Sequence, residues 1–145
     1  MTLAVREQIL VAVKARLATI AGVTVERNRN RPVQAFPALV LRDGGTAPGE
    51  SVTGRQGWGL QLDVEGWVSA ADGDAAGAAL SELQARVVEA FAADQTLGGL
   101  AVDVTEGETQ VDLDDGAGRA VTMGFSTLFT VQFWTRPFDP RTAAP

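Results

Sequence analysis

From about Thr2 to Ala21 the apolar residues Val5, Ile9, Leu10, Val13, Leu17 and Ile20 recur at three- and four-residue spacing, with Arg6, Glu7, Lys14 and Arg16 between them. That period predicts an amphipathic helix, with Thr2 placed to cap its start and Gly22 to stop it. Val23 to Arg27 then switches to β-branched alternation and reads as a strand. Pro32 and Pro37 bracket a non-helical link, after which Ala38 to Arg42 forms a short apolar strand ended by Asp43-Gly44-Gly45.

Between Gly44 and Gly57 apolar content almost vanishes, and the pattern predicts a long mobile loop at about 44–57, of the kind that orders on contact with a partner. From Trp58 to Ser69, Leu60, Leu62 and Val64 alternate with Gln61, Asp63 and Glu65. This is a half-buried strand able to pair back on Ala38–Arg42 as an antiparallel hairpin. A second helix is expected from a cap at Asp74 to about Asp94, with Ala76, Ala79, Leu80, Leu83, Val87, Val88 and Phe91 on one face. After Gly98-Gly99 come three strand signals: Ala101–Thr105, Val111–Leu113 and a long one from Arg119 to Thr135. A flexible tail is expected from about 139.

The order α-β-β-β-α-β-β-β implies an α+β fold, a mainly antiparallel sheet with both amphipathic helices packed on one face. At 145 residues the chain suits a single domain spanning 1–145. Phe129, Val131 and Phe133 alternate with Thr130, Gln132 and Trp134, leaving a strand rather apolar on both faces. As a free edge it would be hazardous, so pairing with a neighbouring subunit is expected there. Trp58, Trp67, Trp134, Phe125 and Phe138 read as core or cross-strand packing.

Composition narrows the chemistry. There is no Cys, His or Tyr and a single Lys, Lys14, which falls in the first helix. Thiolate chemistry, imidazole acid–base work and sulfur-based zinc sites are excluded. Asp63 and Glu65 share one side of a strand as a carboxylate pair would, yet no nucleophile–base pair accompanies them, so they read as solvent-facing. The acidic run Asp103, Glu106, Glu108, Asp112, Asp114 and Asp115 lacks the ligand spacing of a calcium loop; a tight turn around Asp112–Gly116 accounts for it better. No cofactor and no metal is expected. A net charge of −6 argues against whole-molecule attraction to phosphate backbones. An acidic surface would instead let DNA slide past. The local exception is Arg27, Arg29 and Arg31, for which salt bridging or a subunit interface is favoured over phosphate binding. No apolar run reaches the length of a membrane helix, so no membrane partner is expected.

The chain resembles the tail-terminator, or tail-completion, proteins of long-tailed bacteriophages and gene transfer agents. The resemblance rests on the N-terminal helix, Arg27-Asn28-Arg29 before a proline, Phe36-Pro37-Ala38-Leu39-Val40, Asp43-Gly44-Gly45, the helix in mid-chain, and Phe129-Thr130-Val131-Gln132-Phe133-Trp134-Thr135 trailed by Asp139-Pro140. The additional Asn30-Arg31 departs from the pattern. What the resemblance implies is a ring, commonly of six subunits, at the head-proximal end of a virion tail and assembled in the host bacterial cytoplasm. It would cap the tube, end its polymerisation and offer the head-joining surface, with DNA passing through its centre without specific binding. Expected partners are further copies of the chain, the tail tube protein and a head–tail connector protein. The candidate interface residues are Arg27, Arg29, Arg31, Glu50, Arg55, Phe129, Val131 and Phe133. A head–tail connector ring is the alternative reading, and a small carboxylate-based enzyme the third.

Overall fold

The computed structural model describes residues 2–114 and 120–144, with nothing said of the side chain of Asp114. Its elements are α1 (Val5–Leu17), β1 (Thr24–Arg27), β2 (Ala38–Val52), β3 (Arg55–Ala70), α2 (Gly73–Ala92), β4 (Asp103–Asp114), β5 (Val121–Arg136) and β6 (Asp139–Ala143). The six strands form one sheet in the order β1-β2-β3-β5-β4, with β6 pairing β5 beside it. Only β1–β2 is parallel; every other pairing is antiparallel. This is the α+β architecture that the element order implies.

Alternation decides which face of the sheet is dry. Leu60, Leu62, Val64 and Val68 of β3 and Phe125, Phe129, Val131 and Phe133 of β5 join Leu39 and Leu41 of β2 in one buried cluster. Both helices close over it. α1 contributes Val5, Ile9, Leu10, Val13 and Leu17, and α2 contributes Leu80, Leu83, Val87 and Phe91, whose ring centre lies 4.5 Å from that of Phe129. Each such side chain contributes roughly 1.5–3 kcal/mol by leaving water, which is what holds helices of this length on the sheet. The opposite face carries mostly polar residues with Trp67 and Trp134; no helix covers it, but the segment after β1 packs over Ala38 and Val40, which are buried.

Helix boundaries differ from the sequence expectation for local reasons. α1 begins after Ala4, without a side-chain cap, so Thr2 plays no capping part. It ends at Leu17 because the Thr19 hydroxyl donates to the Arg16 carbonyl at 2.6 Å and the Ile20 amide to the Leu17 carbonyl at 3.1 Å. Gly22, with φ of +79°, serves the turn into β1. α2 is capped by Asp72, whose carboxylate accepts from the Ala75 amide at 2.8 Å, and Asp74 sits in the first turn where a negative charge suits the helix dipole. Ala79 faces solvent.

The segment expected as a mobile loop is the outer part of the β2–β3 hairpin. Its hydrogen bonds come from the backbone and need no apolar side chains, so the loss of hydrophobic pattern gave no sign of them. Glycine permits the close approach, since a Cβ on Gly44 would stand 2.3 Å from the Gln61 carbonyl oxygen. Register irregularities between Asp43 and Thr46 and between Pro48 and Ser51 break the strand's regularity, and Gly54, φ +82°, closes the turn. The two strand signals after α2 are one strand, β4, interrupted by an irregularity between Glu106 and Thr109. Residues 139–143, expected as a flexible tail, fold back as β6 after a turn at Pro137–Phe138. The turn expected around Asp112–Gly116 is in part outside the described residues, as is the start of the last long strand at Arg119; Asp112 itself lies in β4.

The sheet has continuous rows. Thr24, Ala38, Trp67, Gly124 and Asp112 are successive register partners across β1, β2, β3, β5 and β4. The next rows run Val25-Leu39-Gly66-Phe125-Val111, Glu26-Val40-Glu65-Ser126-Gln110 and Arg27-Leu41-Val64-Thr127-Thr109. β1 and the Thr109–Asp112 part of β4 therefore lie at the same height on opposite edges.

Candidate subunit interface

Arg27 ends β1 on the helix side of the sheet, where a planar guanidinium with five N–H donors can serve two carboxylates at once. Its Nη1 and Nη2 donate to Glu7 of α1 at 2.6 and 2.9 Å, and its Nε and Nη2 donate to Asp43 of β2 at 2.9 and 2.6 Å. One side chain thus ties three elements together. The hydrogen bonds from Arg27 hold the Glu7 and Asp43 carboxyls below their ordinary values, against the opposing push of partial burial. The same bonds, Asp43 first and then Glu7, drive the arginine further toward its charged form.

Arg29 is also spent within the chain. Its Nη1 donates to both Glu26 oxygens at 2.7 and 2.6 Å, its Nε to the Arg31 carbonyl at 3.0 Å and its Nη2 to the Pro32 carbonyl at 2.8 Å. Arg42 pairs with Glu65 and donates to the Arg29 carbonyl at 2.7 Å. Asn28 takes the left-handed conformation, φ +52°, which asparagine tolerates, and its side-chain oxygen accepts from the Asp43 amide at 3.0 Å. The basic run is thus largely an internal salt-bridge network. Of its three arginines only Arg31 is exposed, and it has no ion pair among the described residues.

Glu50 and Arg55 lie on the hairpin, some way from the arginine segment. Glu50 is exposed at the second irregularity of β2. The Arg55 guanidinium carbon stands 4.7 Å from the centre of a Trp134 ring, a cation–π contact on the uncovered face. Trp134 lies over Gly57, and beside it runs a groove of about 550 Å³ lined by Ala47, Pro48, Gly49, Val102 and Gln132.

Phe129, Val131 and Phe133 require correction as interface candidates. β5 is an inner strand between β3 and β4, not an edge, and these side chains are 1%, 0% and 4% exposed beneath the helices. The apolar alternation was real, but its neighbour is the chain's own core. Apolar side chains that do meet solvent, and were missed, include Val102 just before β4, Val111 and Leu113 on it, and Phe138 at the β5–β6 turn. A signal existed for β4, because Thr109, Val111 and Leu113 alternate with Gln110 and Asp112.

Among the described residues no group of Asp and Glu side chains is disposed to hold a metal ion. Among them, too, no helix is long and apolar enough to cross a membrane.

No protein-family model matches the chain, and no curated protein sequence matches it. Among solved structures it is similar to a chain of a structure described as "Virion of native gene transfer agent (GTA) particle". The identity is 15%, the alignment covers 89% of this chain and 92% of that one, and the TM-score is 0.41.

Proposed function

We propose that the chain is a virion structural protein of the tail-terminator kind. It assembles with copies of itself into a ring, commonly of six, that caps the tail tube, ends its growth and offers the surface for joining the head. It acts by binding and not by catalysis, and DNA passes through the ring without specific contact. The carrying observation is the β2–β3 hairpin, whose residues 45–54 are exposed throughout and contribute nothing to the core. A chain of this size has no folding need for such an arm, and an arm held by a rigid sheet suits docking on a repeating surface. The sequence pattern shared with tail-terminator proteins supports the same reading.

The test is a trimmed variant in which residues 49–57 are replaced by Asn-Gly, a pair suited to a two-residue hairpin turn. It is expected to fold, shown by an unchanged far-ultraviolet spectrum and cooperative unfolding. It is also expected to stop binding purified tail tubes in pull-down and in negative-stain images. Binding of the intact protein to the portal side, with none to tubes, would replace this reading by that of a head–tail connector.

A further inference from the structure

The two edges of the sheet are unlike. β1 presents four residues, with the half-buried Val25 on the helix side and the arginine segment following it. β4 presents a long strand with Val111 and Leu113 on the helix side, 58% and 64% exposed, and with Glu106 and Glu108 at its irregularity. Neither edge has a strand partner on its outer side among the described residues. Uncovered edges are templates for strand addition, and one carrying exposed valine and leucine is costly to leave bare.

Three relations make the edges fit one another. β1 is parallel to β2, and β3, β5 and β4 alternate in direction after it, so β4 runs opposite to β1. Copies placed side by side in the same sense therefore meet through antiparallel strands. The shared rows put Val25 level with Val111 on the helix side and Thr24 level with Asp112 on the bare side. The segment after Arg27 folds back over the bare face, so β1 itself is the edge that faces the next copy. The alternative, β4 against β4 around a two-fold axis, would bring two acidic strands together, and like charges in directly opposed strands are destabilising.

The geometry points to β4 of one copy adding to β1 of the next. The contact is head-to-tail, with Val111 packing by Val25 and Thr24 level with Asp112. Unlike patches in contact generate a ring when the rotation closes. This rests on the ring proposed above and specifies how it is joined.

The natural chain lacks cysteine, so introduced thiols report without interference. The full chain carrying both Thr24→Cys and Asp112→Cys is treated with a short bis-maleimide across a concentration series. A covalent ladder of two, three and more subunits is expected, whereas Asp112→Cys alone gives no covalent dimer. In parallel, Val111→Asp, at a position 58% exposed in the single chain, should leave the fold intact and weaken self-association about tenfold. A strong Asp112→Cys dimer, or no ladder at any concentration, overturns the assignment. A ladder from protein that ignores tail tubes keeps this interface and refutes the tail reading. Rings that bind tubes but give no ladder do the reverse.

Discussion

Trp67 lies across Gly124, its register partner on β5, while one row away Phe125 lies across Gly66 on the opposite face. Each glycine makes room for the aromatic ring of the other strand. A Cβ on Gly124 would approach the Trp67 ring to 2.6 Å, and one on Gly66 would approach Phe125 to 2.0 Å. Phe125 is buried in the core, whereas Trp67 is only half-buried on the other face of the sheet. Gly66→Ala should therefore cost about 2–3 kcal/mol and Gly124→Ala about 1 kcal/mol, within the usual range for overpacking. Urea denaturation would show this as lower midpoints at unchanged slope.

The Arg27 clamp gives a second expectation. Arg27→Ala removes the charge-assisted bonds to Glu7 and Asp43 and leaves those two carboxylates facing each other. The side chains of Arg27 and Asp43 are 24% and 23% exposed, and that of Glu7 37%, so solvent screening reduces the loss. A destabilisation of about 1–3 kcal/mol is expected. Arg27→Lys should recover only part of it, because an ammonium with three donors and no planar fork cannot make all four hydrogen bonds to the two carboxylates. Chemical denaturation of the three proteins decides the order.

The same clamp sets an acid limb to stability. Glu7 and Asp43 titrate lower in the folded protein than their ordinary values of 4.5 and 3.8. The unfolded chain therefore takes up protons first as pH falls. Their contribution is fully present above about pH 5 and is lost as pH drops through the folded values. Midpoint against pH should fall more steeply below pH 4.5 in the natural protein than in Arg27→Ala. Equal slopes would show that Arg27 does not set the titration of this pair.

How much of this was legible in the sequence depended on what each residue had to report. Both helices and the inner strands announce themselves because Leu60, Leu62, Val64 and the α1 stripe must be dry, and burial imposes a period. Residues 44–57 must only hydrogen-bond through their backbone, so composition suggested a loop where a hairpin stands. Of the interface candidates, Arg27 and Arg29 do form salt bridges; Arg29 pairs locally with Glu26, but the partners of Arg27, Glu7 and Asp43, lie on other elements and only tertiary packing reveals them. Phe129, Val131 and Phe133 misled because an apolar strand reads the same at an edge as beneath two helices; strand order is not a local property.

Among the described residues Phe138 is the one large apolar side chain left wholly in solvent, and it also occupies a backbone position with φ of +58°. It follows Pro137 in the two-residue turn between Arg136 and Asp139, the place where such a turn normally takes glycine. The left-handed conformation costs a side-chain-bearing residue roughly 1–2 kcal/mol, and nothing the Phe138 ring packs against repays it. Phe138→Gly should therefore raise stability, by about 0.5–1 kcal/mol once the greater freedom of glycine in the unfolded chain is allowed for. The neighbouring hydrogen bond from the Arg141 amide to Asp139 at 3.2 Å should keep β6 in place. A residue retained at a cost to folding and solubility is expected to act where another surface covers it. Ring assembly and tube binding by Phe138→Gly should then weaken even as thermal unfolding shifts upward. A more stable variant that assembles as well as the natural protein would show that the exposed ring serves no contact.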